Sequence, residues 1–195
     1  EVENLPRNRV GIKIEVDEGS VSGIRHINIV GNRVFDDATL RELFELQLPS
    51  LLSFYTKDAQ YSREKLKGDL ENLESYYLDR GYLNFVVEST QVAIAPNMED
   101  VYITINVEEG QQFKVGRVEI SGELHDIAEA SIRQLILSRE GQIYSRELMT
   151  ASEERIEMIL GNAGYTFSSA TGNPALSEDG ETVVVRFFVD AGKRA

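Results

Sequence analysis

The sequence predicts an α+β fold of tandem β-α-α-β-β units, each a three-stranded mixed sheet with two helices on one face. Three observations carry this. First, one strand pattern occurs three times: Val10, Ile12, Ile14 and Val16 before Asp17-Glu18-Gly19; Val101, Ile103, Ile105 and Val107 before Glu108-Glu109-Gly110; and Val183, Val185, Phe187 and Val189 before Asp190-Ala191-Gly192. Strict alternation of such residues marks a half-buried strand. Second, the segment after the glycine also returns, with Ile24, Ile27 and Ile29 leading to Gly31 as Val115, Val118 and Ile120 lead to Gly122, a shift of 91. Third, Tyr61-Ser62-Arg63-Glu64 and Gly81-Tyr82 reappear as Tyr144-Ser145-Arg146-Glu147 and Gly164-Tyr165, a shift of 83. The difference places an 8-residue insertion in the first copy between Gly31 and Tyr61. Landmarks in one order at steady offsets are the signature of a repeat.

Each element arises from local chemistry. In the first copy, Ile24–Val30 opens as a strand and Gly31-Asn32 turns the chain. Asp36 is placed to cap a first helix running to about Leu46, with Phe35 and Leu40 spaced as a hydrophobic staple. Ser62 caps a second helix whose Leu66, Leu70, Leu73 and Tyr77 form an inward stripe, and Gly81 ends it. Leu83–Ile94 is the second strand, Pro96-Asn97 a turn, and Val101–Val107 the closing strand. The second copy repeats this order: a strand over Val115–Ile120, a helix over Ile127–Leu137, and a helix over Ser145–Ala163 with Leu148, Ser152, Ile156, Ile159, Leu160 and Ala163 on one side. Strands near Tyr165–Ala170 and Thr182–Val189 complete it.

The domain reading is therefore residues 1–20 as the closing strand of a truncated preceding unit, 21–110 as one unit with the insertion, and 111–195 as the next. The closing strand of the first segment is expected to be ordered by pairing with a sheet edge, in this or a neighbouring molecule. The connection Gly110-Gln111-Gln112-Phe113-Lys114 is short, so the two full units are expected to move little against one another.

Composition excludes several function classes. The 195 residues carry 20 Lys and Arg against 33 Asp and Glu, a net charge of −13. Phosphate binding needs a basic stripe, and anionic head groups repel such a chain. No cysteine is present, which removes disulfides, thiolate nucleophiles and cysteine metal sites. No apolar run approaches the ~18 residues of a membrane helix.

Two runs carry a family resemblance: Arg25-His26-Ile27-Asn28-Ile29-Val30-Gly31-Asn32 and Leu73-Glu74-Ser75-Tyr76-Tyr77-Leu78-Asp79-Arg80-Gly81-Tyr82. They resemble POTRA (polypeptide-transport-associated) domains, most of all those of the BamA family of outer-membrane protein assembly factors. The opening Leu5-Pro6-Arg7-Asn8-Arg9-Val10 is similar to the end of a second POTRA domain, and the two full copies to the third and fourth. The resemblance implies a non-catalytic periplasmic scaffold of the outer-membrane β-barrel assembly machinery in Gram-negative bacteria. It implies binding of unfolded outer-membrane proteins and of a BamB-like propeller lipoprotein by β-strand addition. The rest of the BAM complex would be reached through domains outside this chain. It implies no cofactor, no nucleic acid and no membrane insertion by these residues.

The second strand of each unit lies at the sheet edge in that family. Its residues here are Val86, Val87, Ser89, Thr90, Gln91 and Val92. A turn centred on Asn97 would set Val92 opposite Tyr102, both facing away from the helices, as a partner-binding pair. The equivalent edge of the second unit, Tyr165–Ala170, is short and Ser-rich and ranks below it. The apolar insertion Leu48-Pro49-Ser50-Leu51-Leu52-Ser53-Phe54-Tyr55 reads as a flap against its own helices, with partner contact as the other possibility.

Nothing points to catalysis or to a metal. His26 and His125 occur one per repeat and match no paired spacing; Asp36-Asp37 and Glu153-Glu154 read as caps and solvated surface. No Gly-rich phosphate loop or Ser elbow occurs. The alternative from another class is a KH-like nucleic-acid-binding module, which shares the helix pair on a small sheet but needs basic residues around a Gly-rich clamp.

Overall fold

The computed structural model describes residues 2–5, 9–12, 23–46, 61–96, 100–165 and 167–194, with side chains from residue 23 onward. The elements run β1 (Val2–Leu5), β2 (Arg9–Ile12), β3 (Gly23–Val30), α1 (Asp37–Arg41), α2 (Arg63–Leu78), β4 (Val86–Ile94) and β5 (Asp100–Glu108). The second copy comprises β6 (Lys114–Glu123), α3 (Glu129–Leu135), α4 (Arg146–Asn162), β7 (Ser169–Leu176) and β8 (Thr182–Asp190). Both full units form three-stranded mixed sheets, ordered β3-β5-β4 and β6-β8-β7. The last strand of each lies in the middle, parallel to the first and antiparallel to the second.

The inward faces read from the alternation are the buried ones. Ile24, Ile27, Ile29, Val101, Ile103, Ile105 and Val107 pack with Leu66, Leu73 and Tyr77 of α2. Val115, Val118, Val183, Val185, Phe187 and Val189 pack with Ile156 and Leu160 of α4. Asp36 caps α1 by accepting from Thr39 N–H at 2.8 Å, and Ser62 and Ser145 cap α2 and α4 in the same way. The Tyr-Tyr-Leu-Asp-Arg-Gly-Tyr run is an aromatic box. Phe35 meets Tyr76, Tyr77 and Tyr82 edge-on at 5.0, 5.2 and 5.9 Å between centroids, and Tyr77 stacks on Phe85 at 4.0 Å. The Arg80 guanidinium lies over the Tyr76 ring.

Three sequence expectations are corrected. The first helix of each unit is shorter than read, five and seven residues. In the first unit the chain leaves α1 in single turns that bring Leu43, Phe44 and Leu46 to the core without helix. The second strand of the second unit is Ser169–Leu176, not Tyr165–Ala170. Asn173-Pro174 resembles a breaker, but an edge strand tolerates Pro where its missing N–H would point outward. Finally, the N-terminal segment pairs within itself: β1 and β2 form an antiparallel hairpin, and no described pairing joins it to another sheet. A hairpin meets the need of both strands for backbone partners locally. Ile14 and Val16 of the expected closing strand lie outside the described residues.

Two buried acids hold the first unit together. Glu109, 7% exposed, accepts from Tyr77 O–H at 2.7 Å and from the amides of Arg33 and Val34. It ties the turn after β3 to α2, and burial together with this carboxylate raises the Tyr77 phenol well above its ordinary range. Asp69, 1% exposed on α2, accepts from the amides of Glu45 at 2.6 Å and Leu46 at 3.0 Å, where the chain leaves α1. In the second unit Ser152 stands 83 residues on and accepts from Leu137 N–H at 2.8 Å. The anchor is the same and the acceptor differs.

Replacing Glu109 by Ala strands a buried hydroxyl and two amides and is expected to cost about 2–4 kcal/mol, read as a lower urea midpoint with unchanged slope. Burial raises the Asp69 carboxyl above 3.8, outweighing the two amides that lower it. The folded state therefore holds this proton more tightly than the unfolded one. Its stabilisation is fully present below pH 3.8 and is lost as pH rises through the folded value. The stability of the wild type relative to Asp69→Ser is expected to be larger at pH 3.5 than at pH 7, measured by urea unfolding at both.

Candidate docking edges and the seam between the two domains

In an antiparallel pair, alternate residues aim both backbone polar groups at the partner and the others aim them away. The Ala95 amide donates to Asp100 C=O at 2.9 Å, so Ala95, Ala93, Gln91 and Ser89 face β5. Thr90, Val92 and Ile94 therefore point their amides and carbonyls outward. Among the described residues no side chain or loop fills these positions. A bulge lies between Val87 and Ser89. Val86, Val92, Ile94 and Tyr102 are exposed, Val87 is half-buried, and Ser89 Oγ accepts from Asn106 Nδ2 at 2.8 Å.

The expected pairing of Val92 with Tyr102 is off by one residue. Val92 pairs with Ile103, and Ala93 with Tyr102. A one-residue change of register exchanges faces. Val92 thus shares the helix-side face with buried Ile103, although it is 38% exposed beyond the helices, while Tyr102 stands 43% exposed on the open face between Ala93 and His26. The two side chains lie on opposite faces of the sheet and do not form one patch.

The edge of the second sheet differs. Ser177 N–H donates to Thr182 C=O at 2.9 Å, which leaves Ala170, Gly172, Pro174 and Leu176 facing outward. The Ala170 amide donates to Glu157 Oε1 at 2.9 Å, and the Gly172 amide donates to Glu153 Oε1. Glu153 is thus not simply solvated surface, as its sequence context predicts; it bonds a strand. Its neighbour Glu154 is exposed. A Cβ at Gly172 would come within 2.6 Å of Met149 Cγ and 2.8 Å of Glu153 Oε1, so only glycine lets α4 lie this close.

The remaining candidates separate cleanly. His26 is exposed on β3, and Asp37 accepts from Asn32 Nδ2 beside Arg41. His125, the one described non-glycine residue with positive φ, has ligand atoms within 4.8 Å of those of Glu123 and Asp190. Glu123 and His125 are exposed, and Asp190 accepts from the Gly192 amide at 2.9 Å. The insertion 48–55 lies outside the described residues. Phe167 and Phe188, 84% and 54% exposed, were not singled out by sequence; period two on β8 puts Phe188 outward, but no pattern marks Phe167.

A seam joins the two units. Phe113 N–H donates to Gly81 C=O at 2.8 Å, Gln112 Nε2 to Arg80 C=O at 2.9 Å, and Glu147 N–H to Asp79 Oδ1 at 2.8 Å. Arg146 donates to Ser75 Oγ, and Leu83 packs against the second core. Asp79 thus places a carboxylate at the N-terminus of α4, where free amides and the helix dipole favour it. Gly81 takes φ +91, and a Cβ there would meet Ile143 Cγ2 at 2.7 Å and Phe113 O at 2.8 Å.

With this geometry established, comparison with known proteins is direct. The POTRA family model, described as surface antigen variable number repeat, matches residues 23–110 and again 113–192. The chain belongs to the POTRA family. The KH-like alternative is set aside by this match. A POTRA3-5 crystal structure of Haemophilus influenzae BamA superposes with a TM-score of 0.75 at 26% identity, covering 92% of this chain and 70% of that one. A Haemophilus ducreyi BamA structure lacking POTRA domains 1-3 shares the fold, with a TM-score of 0.63 at 19% identity over 86% of this chain and 29% of that one. In sequence, the outer membrane protein assembly factor BamA of Neisseria meningitidis is 30% identical over 99% of this chain, and that of Buchnera aphidicola is 30% identical over 96%. The chain spans 24% and 30% of those two relatives' lengths. No helix among the described residues is long and apolar enough to cross a membrane.

Replacing Asp79 and Arg146 together by Ala removes the two bonds that tie Ser75 and Asp79 of the first unit to the head of α4. Each POTRA unit is expected to keep its circular dichroism, while the alignment tensors of the two units, equal in the wild type, become unequal in residual dipolar couplings.

Proposed function

We propose that these tandem POTRA domains are a non-catalytic periplasmic scaffold within a longer outer-membrane protein assembly factor. They correspond to its third and fourth POTRA domains, a correspondence supported by the likeness to the POTRA3-5 structure. The scaffold holds extended segments of unfolded outer-membrane proteins, and a BamB-like propeller lipoprotein, by strand addition at β4. Other domains of the longer protein reach the rest of the assembly machinery.

The observation that carries this reading is the run of outward backbone groups at Thr90, Val92 and Ile94, which no described group fills. Such an edge bonds any extended chain through its backbone, so it needs no particular client sequence. Of the residues read from sequence, Thr90 and Val92 supply these backbone groups. Val86, Val87, Ser89, Gln91 and Tyr102 supply side chains on the two faces beside them. The net charge of −13 suits a surface that stays clear of anionic lipid while it handles chains.

The register also supplies a clean test. Val92 occupies the place in β4 that Pro174 occupies in β7. Val92→Pro deletes an outward donor without touching a bond to β5. The variant is expected to melt within a few degrees of the wild type and to bind a purified BamB-like propeller at least tenfold more weakly in calorimetry. Undiminished affinity in a folded Val92→Pro protein would count against strand addition at β4.

A further inference from the structure

The two domains share a fold, yet their second strands present opposite chemistry along the free edge. Superposing the registers equates Val87 with Ala170, Thr90 with Gly172 and Val92 with Pro174. Along β7 the outward donor of each of these three positions is bonded or missing. The Ala170 amide is bonded to Glu157, the Gly172 amide to Glu153, and Pro174 has no amide at all. The carboxylates come from consecutive turns of α4, four residues apart and therefore on one face. On α2 the residues 83 positions earlier are Leu70 and Glu74. The Leu70 side chain accepts no hydrogen bond, and among the described residues no bond links Glu74 to β4.

The first half of the other edge, on β6, is bonded as well. Val115 N–H donates to Gln142 C=O at 2.8 Å, and Gly141 N–H donates to Val115 C=O at 2.7 Å. Val118 N–H donates to Glu140 Oε1, and Arg133 donates to Val118 C=O at 3.1 Å. A strand adding along Ala170–Gly172 or along Val115–Val118 must first displace bonds that the domain already makes with itself.

We propose that the second domain is closed to strand addition by its own helix, through Glu157, Glu153 and Pro174 on β7, so that an extended segment is directed to β4 of the first domain. This rests on the strand-addition reading given above. Exposed edges are hazards unless covered, and a side chain that bonds the outward amides covers one without adding a strand. Along the second strands, the tandem thus presents an open row on β4 and a closed one on β7.

The test separates this closure from the strand-addition reading. Amide hydrogen exchange of the intact chain, read by NMR, needs no partner: Ala170 and Gly172 are expected to exchange at least tenfold more slowly than Thr90 and Val92 after correction for intrinsic rates. Equal rates would overturn the closure. A synthetic ten-residue peptide alternating Thr with Val and Tyr is then titrated in. Shifts at Thr90, Val92 and Ile94 with one peptide bound per chain support the proposal, and equal shifts along Ala170–Leu176 overturn it. Binding at neither edge overturns the strand-addition reading, while the exchange rates still decide the closure. The triple variant Glu153→Leu, Glu157→Ala, Pro174→Val is expected to bind a second peptide along β7. If it folds and still binds one peptide, on β4 alone, these three residues are not the closure. If it does not fold, the wild-type exchange rates decide.

Discussion

Every backbone amide and carbonyl that leaves water must find a partner, and a sheet of three strands has two sides on which the ladder stops. Here the strand that comes last in each repeat inserts between the other two, so the first and second strands are always the outer ones. That placement buries the most regular apolar strand of each unit and exposes the less regular pair. What distinguishes the two domains is how their outer rows are completed. In the second domain, helix and loop groups bond Ala170 and Gly172 on β7 and Val115 and Val118 on β6. In the first, the row along β4 is left unfilled by any described group.

The repeat also shows how one architecture tolerates changed chemistry at equivalent points. A carboxylate at Asp69 and a hydroxyl at Ser152 do the same task, taking an amide where the chain leaves the first helix. Glu109 ties the turn after β3 to Tyr77, while the residue 82 positions on is the buried Ala191, and the second domain manages without such a tie. Backbone geometry persists because the alternation and the caps persist. Side-chain bonds vary because several donors and acceptors meet one need.

The seam makes the two repeats more than beads on a string. Gly81 ends α2 in a conformation that L side chains rarely adopt, and the same glycine leaves room for Phe113 and Ile143. A residue that looks like a simple helix stop is therefore also an inter-domain contact. Asp79 next to it lends its carboxylate to the head of α4. The direction in which the second domain leaves the first is thus coupled to the end of the helix that covers β4.

The repeat, the buried faces, the capping residues and the family were legible from the residues, because period two, period 3.6 and the Ser and Asp caps are local properties of the chain. The run Tyr76 to Tyr82 was legible as a motif but not as an aromatic box, since Phe35 joins it from a distant part of the chain. The facing of Val92 against Tyr102 was not legible, because it depends on a turn register, and one residue of slip exchanges faces. Glu153 and Glu157 show the limit most clearly. In sequence they are helix-surface acids like many others; only the approach of α4 to β7 over Gly172 turns them into partners for a strand. Sequence alone determined the repeat and the core-facing residues of the first and last strands of each unit, since these depend on neighbours along the chain. Which edge is open was decided by tertiary structure, because a backbone amide is satisfied by whatever the fold brings alongside it.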